Sequence, residues 1–105
     1  MNDVNDIVQE CSRILSGIYG KRFDGLLLYG SSVRGEDTEE SDIDLLVLLK
    51  GDLDIWKEIG RVVDVLYPLQ LRTNRLISAK PVRSDAYRSG AVEFYRSVMK
   101  EAIAV

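Results

Sequence analysis

Two short apolar runs, separated by a polar segment, restrict the fold of this chain more than any other feature. They are Leu26 to Tyr29 and Ile43 to Leu49. Each run is too short for an amphipathic helix and lacks the helical spacing of apolar residues, so both are predicted to be buried β-strands. The chemically informative residues lie between these strands and at their ends.

The first strand is followed by Gly30 and Ser31. Glycine tolerates backbone angles that other residues avoid, and serine favours the N-cap position of a helix. The pair therefore predicts a phosphate-binding turn, with a short helix over residues 31–35 whose N-terminus points back at the strand end. The helix N–H groups, the Ser31 hydroxyl and the Arg34 guanidinium would together hold a di- or triphosphate.

The second strand is predicted to open with Asp42, Ile43 and Asp44. Because side chains alternate across a strand, both carboxylates project from one face and Ile43 projects from the other. Two converging carboxylates repel each other, and oxygen ligands alone favour Mg²⁺ or Mn²⁺ over zinc. Two such ions about 4 Å apart would stabilise the entering oxygen and the leaving pyrophosphate of an in-line displacement.

Each of these motifs has an ordinary structural interpretation when it stands alone. Gly-Ser is a common turn dipeptide, and an isolated Asp-x-Asp more often solvates a strand end than binds metal. The acids between Glu36 and Glu40 are most simply a solvated loop. The functional interpretation depends on the unbroken order of strand, Gly-Ser turn, short helix, polar loop and Asp-x-Asp strand.

The remaining pattern predicts three more helices and a third strand. Residues 3–19 form an amphipathic helix capped by Asn2 or Asp3, and a second stripe from Ile55 to Leu66 continues past Pro68 with a kink. Residues 75–82 form a strand, in which Pro81 suggests an edge or an end. From Ala91 to Ile103 a terminal helix closes the core. The result is a single domain over residues 1–105, an α/β (α+β) fold in which a small mixed sheet packs with about four helices.

Composition excludes several classes of function. The chain has no histidine, so Ser-His-Asp and Cys-His catalysis and histidine-ligated zinc are ruled out. With 14 basic and 17 acidic residues there is no general basic field, and direct nucleic-acid binding is not expected. The single Cys11 lies on an apolar stripe and is interpreted as a buried small hydrophobe. No signal peptide or apolar run of about 18 residues is present, which predicts a cytoplasmic protein without membrane association.

Gly30-Ser31, ten residues, then Asp42-Ile43-Asp44 resembles the signature of the minimal nucleotidyltransferases of the DNA polymerase β-like superfamily. The segments YGSSVRG and SDIDLLV look like that group in particular, and EFYRSVMKEAIAV is similar to its terminal helix. The resemblance implies that Ser31 contacts nucleotide phosphates, that Arg34 supports them, that Asp42 and Asp44 ligate metal, and that ATP is the donor.

The chain departs from that family at one position. The family usually carries a third carboxylate on the following strand, and the residue at the position most like it in this sequence is Ser78. Asp64 and Asp85 are alternatives, but one precedes the strand on a helix and the other follows it. The departure predicts inefficient transfer, because a positioned general base is typically worth about 10² to 10⁴ in rate.

The predicted function is Mg²⁺-dependent transfer of AMP from ATP to a hydroxyl of a partner macromolecule. Resemblance implies that the partner is a HEPN ribonuclease, in a toxin-antitoxin pair in which this chain is the antitoxin. The alternative is a catalytically weak nucleotide-binding module that neutralises the toxin by binding. Antibiotic modification is disfavoured because there is no room for an acceptor domain. The sequence leaves homo-oligomerisation open.

Overall fold

The computed structural model describes residues 3–105, which form a four-stranded mixed sheet and five α-helices. The helices are Val4–Tyr19 (α1), Ser31–Arg34 (α2), Ile55–Gln70 (α3), Ser84–Arg88 (α4) and Glu93–Met99 (α5). The strands are Phe23–Tyr29 (β1), Ile43–Leu49 (β2), Ile77–Arg83 (β3) and Ile103–Ala104 (β4). The predicted fold class, a small mixed sheet packed with helices, is therefore confirmed.

The order of strands across the sheet is β3-β2-β1-β4. The β1 strand is antiparallel to both β2 and β4, whereas β3 lies parallel to β2. Ile43, Leu45, Val47 and Leu49 face a core built with α1 and α3, and Leu46 and Leu48 face a smaller core with Tyr87 and Val98. Even-numbered positions of β2, such as Asp44, face the same side as Leu46 and Leu48, and this side of the sheet carries the candidate site. Asp42 is the even-numbered residue just before the strand.

The first helix forms as its apolar spacing predicts. Asp3 caps it by accepting a hydrogen bond from the Asp6 N–H at 3.1 Å, and Gly20 ends it at φ 56°. The other predicted cap, Asn2, lies outside the described residues. Ile7, Cys11 and Leu15 are fully buried on its inner face. Packing of this stripe against the sheet supplies most of the stability of such a helix.

The long helix α3 begins after Asp54, whose carboxylate accepts from the Lys57 N–H at 3.3 Å. It continues through Pro68 to Gln70, so the prediction that the helix extends past Pro68 is confirmed. The following strand, β3, starts two residues later than predicted and lies at the edge of the sheet, where the absent N–H of Pro81 is tolerated. No helix within residues 3–105 is long and apolar enough to cross a membrane.

The prediction of one helix from Ala91 to Ile103 is wrong. Helix α5 covers only Glu93–Met99, and Ile103–Ala104 pairs with β1 as β4. The Ala102 N–H still bonds to the Val98 carbonyl at 2.8 Å, but the Val105 N–H donates to Leu26 at 2.9 Å. The outer edge of β1 would otherwise lack hydrogen-bond partners, and this tertiary pairing outweighs the helical spacing of the last residues.

Candidate functional site

The Gly30 turn lies directly against Asp44. Gly30 has φ 81° and ψ −152°, a conformation that only glycine adopts without strain, and its carbonyl accepts from Val33 and Arg34 at the start of α2. A Cβ placed on Gly30 would overlap the Asp44 carboxylate and lie 3.3 Å from its Cγ. The turn predicted to hold phosphate and the acid predicted to hold metal are thus in van der Waals contact.

The two acids occupy the start of β2. The strand begins at Ile43, one residue later than predicted, so the exposed Asp42 precedes it and the half-buried Asp44 is its second residue. Ile43 is fully buried on the opposite face. Asp44 pairs with Tyr29 of β1 on one side and with Ser78 of β3 on the other. Ile43 and Asp44 therefore point to opposite faces of the sheet, as alternation predicts.

Several charges act on Asp44. Burial is the largest cause, and it raises the pKa of this carboxyl. The cations Lys80 and Arg34 oppose the rise, whereas the acids Asp42 and Glu101 add to it. Loss of water and nearby negative charge both disfavour the ionised form. A divalent cation at this point would relieve both effects, because it supplies the positive charge that the acids lack.

Arg34 projects from α2 toward the C-terminal segment. Its Nη1 lies 3.2 Å from both oxygens of Glu101, and its Nε donates to Glu36 at 3.2 Å. These two carboxylates raise the pKa of Arg34, Glu101 most strongly through its hydrogen bond. Arg34, the side chain predicted to bind the nucleotide phosphates, is therefore held in place by two acids that the motif does not include.

A second cation, Lys80, lies on the same face of the sheet as Asp44. Its Nζ is 3.2 Å from the Tyr29 hydroxyl and about equally distant from the Tyr29 and Phe94 rings, at 5.9 and 5.8 Å from their centroids. Lys80 is two residues beyond Ser78 on β3, so alternation places both on the face of Asp44. The edge strand thus brings a hydroxyl and an ammonium group to the site.

The loop that precedes Asp42 is anchored by Arg75, whose side chain is only 5% exposed. Its Nε donates to the Ser41 carbonyl at 2.9 Å, and its Nη1 donates to Asp37 at 3.1 Å. Its Nη2 bonds to the other oxygen of Asp37 and lies 3.5 Å from the Ser32 hydroxyl. One buried guanidinium therefore ties the acidic loop to both α2 and the start of β2.

The donor set fits an ion that shares its coordination shell with a ligand. Within residues 3–105 no group of three or more His, Cys, Asp or Glu side chains is placed to hold a metal. Asp42 and Asp44 offer carboxylate oxygens only, and Mg²⁺ typically takes one or two carboxylates together with water and substrate phosphates. The pair is suited to Mg²⁺ carried in with a nucleotide.

The position expected to hold the family's third carboxylate is occupied by a serine. Ser78, the residue assigned to that position from the sequence, lies directly across from Asp44 in the parallel ladder. Asp64 is exposed on α3. Asp85 lies in α4, beyond the far end of β3, and forms an ion pair with Arg83 at 2.7 Å. Neither substitute is a member of the site.

The predicted residues Gly30, Ser31, Arg34, Asp42 and Asp44 gather at one end of the β1–β2 pair. Sequence reasoning missed three neighbours, Lys80, Glu101 and Arg75. The position of Lys80 was available from alternation relative to Ser78, but Glu101 was hidden by the incorrect terminal helix. The burial of Arg75 had no signal in the local pattern, since its partners lie more than thirty residues earlier.

A mixed sheet with a glycine turn against an Asp-x-Asp strand defines the class of nucleotidyltransferase domains. The nucleotidyltransferase domain family model matches residues 8–104, so the chain belongs to this family. It is a nucleotidyltransferase, as predicted.

Two relatives come from Methanocaldococcus jannaschii, and both are named "Putative protein adenylyltransferase". One is 33% identical over 96 residues, covering 90% of this chain and 89% of the relative. The other is 32% identical over 76 residues, covering 72% and 76%. A solved structure from Sulfolobus solfataricus, described as a "putative nucleotidyltransferase", covers 94% of this chain and 76% of its own, with a TM-score of 0.67. At 15% identity, this last match supports the fold alone.

Proposed function

We propose that this nucleotidyltransferase moves AMP from ATP to a hydroxyl of a partner protein with the help of Mg²⁺. One observation carries the proposal, the contact between the Gly30 turn and the Asp44 carboxylate. Because of this contact, a phosphate held by the turn and a cation held by the acids would meet without any rearrangement of the chain. Relatives named for protein adenylylation support a protein as the acceptor.

The residues divide into two functional groups. Asp42 and Asp44 would hold Mg²⁺, which when bound supplies positive charge at the reacting phosphate and at the leaving pyrophosphate. The Ser31 hydroxyl and the Arg34 guanidinium would hold the phosphates. In the transfer, the acceptor oxygen bonds to the α-phosphorus, the bond from that phosphorus to the bridging oxygen breaks, pyrophosphate leaves and the hydroxyl proton passes to solvent.

The proposed acceptor is the HEPN-type partner that the family resemblance implies, with this chain as the antitoxin. A catalytically weak binding module is the second candidate, and one observation favours it. The position opposite Asp44 on β3 holds Ser78, which at neutral pH cannot serve as a carboxylate base. The two candidates differ in whether AMP is transferred at a useful rate.

The test is the mass of the partner after incubation with ATP, Mg²⁺ and the purified protein. A gain of one or more AMP units is expected with the wild type, and none with Asp42→Asn plus Asp44→Asn. Glu93→Gln, which removes an exposed acid on α5, serves as the charge control. If the partner gains no mass, while the double variant still suppresses its toxicity, then the binding module is the correct function.

Ser78→Asp provides a second, independent comparison. Because Ser78 is paired with Asp44 in a parallel ladder, the new carboxylate would share the face of the two native acids. We expect a faster gain of AMP on the partner and a lower melting temperature without Mg²⁺, since three acids repel one another more than two. An unchanged rate, with an unchanged melting temperature, would contradict the proposed role of this face.

A further inference from the structure

We infer that Glu101 is the positioning residue for Arg34, and that it orients the guanidinium for the triphosphate of the bound nucleotide. The inference rests on the proposed function, because it assigns a task to a residue next to the proposed phosphate site. Glu101 lies 67 residues from Arg34 in the chain and belongs to no part of the Gly-Ser and Asp-x-Asp motif.

The backbone of Glu101 is fixed from both sides. On its N-terminal side, its own N–H and that of Ala102 bond to the carbonyl of Val98, at 3.0 and 2.8 Å, and Val98 is 2% exposed. On its C-terminal side, Ile103 pairs with Leu28 of β1. The β1 strand leads directly into the Gly30 turn. The segment that carries Glu101 and the turn that leads to Arg34 are therefore attached to two paired strands of the same sheet, β4 and β1.

The contact between the two side chains leaves one part of the guanidinium open. Nη1 lies 3.2 Å from both Glu101 oxygens, and Nε donates to Glu36. Among the described residues, no acceptor is bonded to Nη2. The planar guanidinium is thus held at two nitrogens and keeps two N–H groups for a ligand.

The two acids that hold Arg34 differ in how firmly they are placed. The Glu101 side chain is 24% exposed, against 64% for Glu36, which lies in the polar loop. A more buried carboxylate is screened less by water and gives the stronger hold. An arginine that is already oriented loses less side-chain freedom when it binds a phosphate, so its contribution to affinity is larger.

The inference is tested by titrating ATP in the presence of Mg²⁺ by calorimetry. We expect Glu101→Ala to weaken ATP binding by up to about tenfold, which corresponds to the cost of ordering one flexible side chain on binding. Glu101→Gln keeps one acceptor without the charge and is expected to fall between the wild type and Glu101→Ala. It also guards against a folding defect in the alanine variant. Glu93→Ala, from the same C-terminal region, should bind ATP like the wild type.

Coupling to Arg34 separates positioning from a merely structural role. In the double variant Glu101→Ala plus Arg34→Ala, ATP binding should be no weaker than in Arg34→Ala alone, because Glu101 acts through Arg34. Fully additive losses would overturn the inference, as would unchanged or tighter binding in Glu101→Ala and Glu101→Gln. Wild-type affinity in Arg34→Ala would instead remove Arg34 from the phosphate site, and the proposed role of Glu101 would fail with it.

Discussion

Substitution of Arg75 by methionine should destabilise the protein and loosen the loop that leads into Asp42. The side chain is almost completely buried and donates to Asp37, to the Ser41 carbonyl and, at longer range, to Ser32. Methionine fills a similar volume but donates no hydrogen bond. The substitution therefore removes every polar contact of this side chain at once.

The size of the effect follows from what is left behind. Breaking a buried ion pair by removing one partner typically costs about 3 to 5 kcal/mol, but Asp37 is 31% exposed and regains water, which reduces the cost. The Ser41 carbonyl loses its charged donor, which adds about 1 kcal/mol. The expected loss in the free energy of unfolding is about 3 kcal/mol in total.

Urea denaturation at pH 7 measures this loss directly. Lys21→Met is the matched control, since it removes one positive charge from an exposed position and should change the free energy of unfolding by less than about 0.5 kcal/mol. A loss below about 1 kcal/mol for Arg75→Met would refute the reasoning, because it would mean that the buried contacts contribute little. Mg²⁺-dependent ATP binding should also weaken, because Ser41 is adjacent to Asp42.

The same substitution should change how stability depends on pH. The hydrogen bond from Arg75 is the main cause that holds the pKa of Asp37 below its ordinary value of 3.8. A carboxyl whose pKa is depressed in the folded state contributes stability above its unfolded pKa, and this is lost as pH falls through the folded value. From pH 5 down to about pH 3, the wild type should therefore lose stability more steeply than Arg75→Met.

Three further outcomes are expected. Gly30→Ala should lower the free energy of unfolding by at least about 1 to 3 kcal/mol and abolish ATP binding. An alanine would be strained at the φ of Gly30, and its Cβ would overlap the Asp44 carboxylate. An ATP titration like that of the wild type would contradict this expectation. Cys11, fully buried with a pKa raised to about 12 by burial, should react with iodoacetamide at pH 8 only in urea. Tyr19→Phe removes the 2.9 Å hydrogen bond to buried Glu58, and thermal denaturation should show a loss of about 1 to 2 kcal/mol.

The parts of the fold that depend on local pattern were predictable. The apolar stripe of α1 and the continuous apolar run of β2 are strong local signals, and both elements form within one residue of their expected limits. The β1 strand was also predicted, but it begins at Phe23, three residues before Leu26. The opposite faces of Ile43 and Asp44 followed from alternation alone. The position of the Gly30 turn beside the two acids was also expected, and it depends on the pairing of Tyr29 with Asp44.

The parts that failed depend on contacts between distant segments. Val98, Ala102 and Ile103 have helical spacing, and nothing local reveals that Ile103 will pair with Leu28 instead. A helix through this segment would not have predicted the contact between Glu101 and Arg34. Tertiary hydrogen bonding at a sheet edge therefore decided both an element of the fold and a neighbour of the site.

Whether this protein transfers AMP efficiently or mainly binds nucleotide depends on which side chains of β3 lie near Asp44. In this chain the strand contributes Ser78 directly opposite and Lys80 on the same face. A serine hydroxyl does not remove a proton from an acceptor near neutral pH, whereas a nearby ammonium favours the charged form of Asp44 and the binding of phosphates. This arrangement favours holding a nucleotide over activating an acceptor. Slow transfer by the wild type and faster transfer by Ser78→Asp are then two consequences of one cause, the lack of a carboxylate at position 78. If the partner supplied the activating base instead, neither effect would be observed.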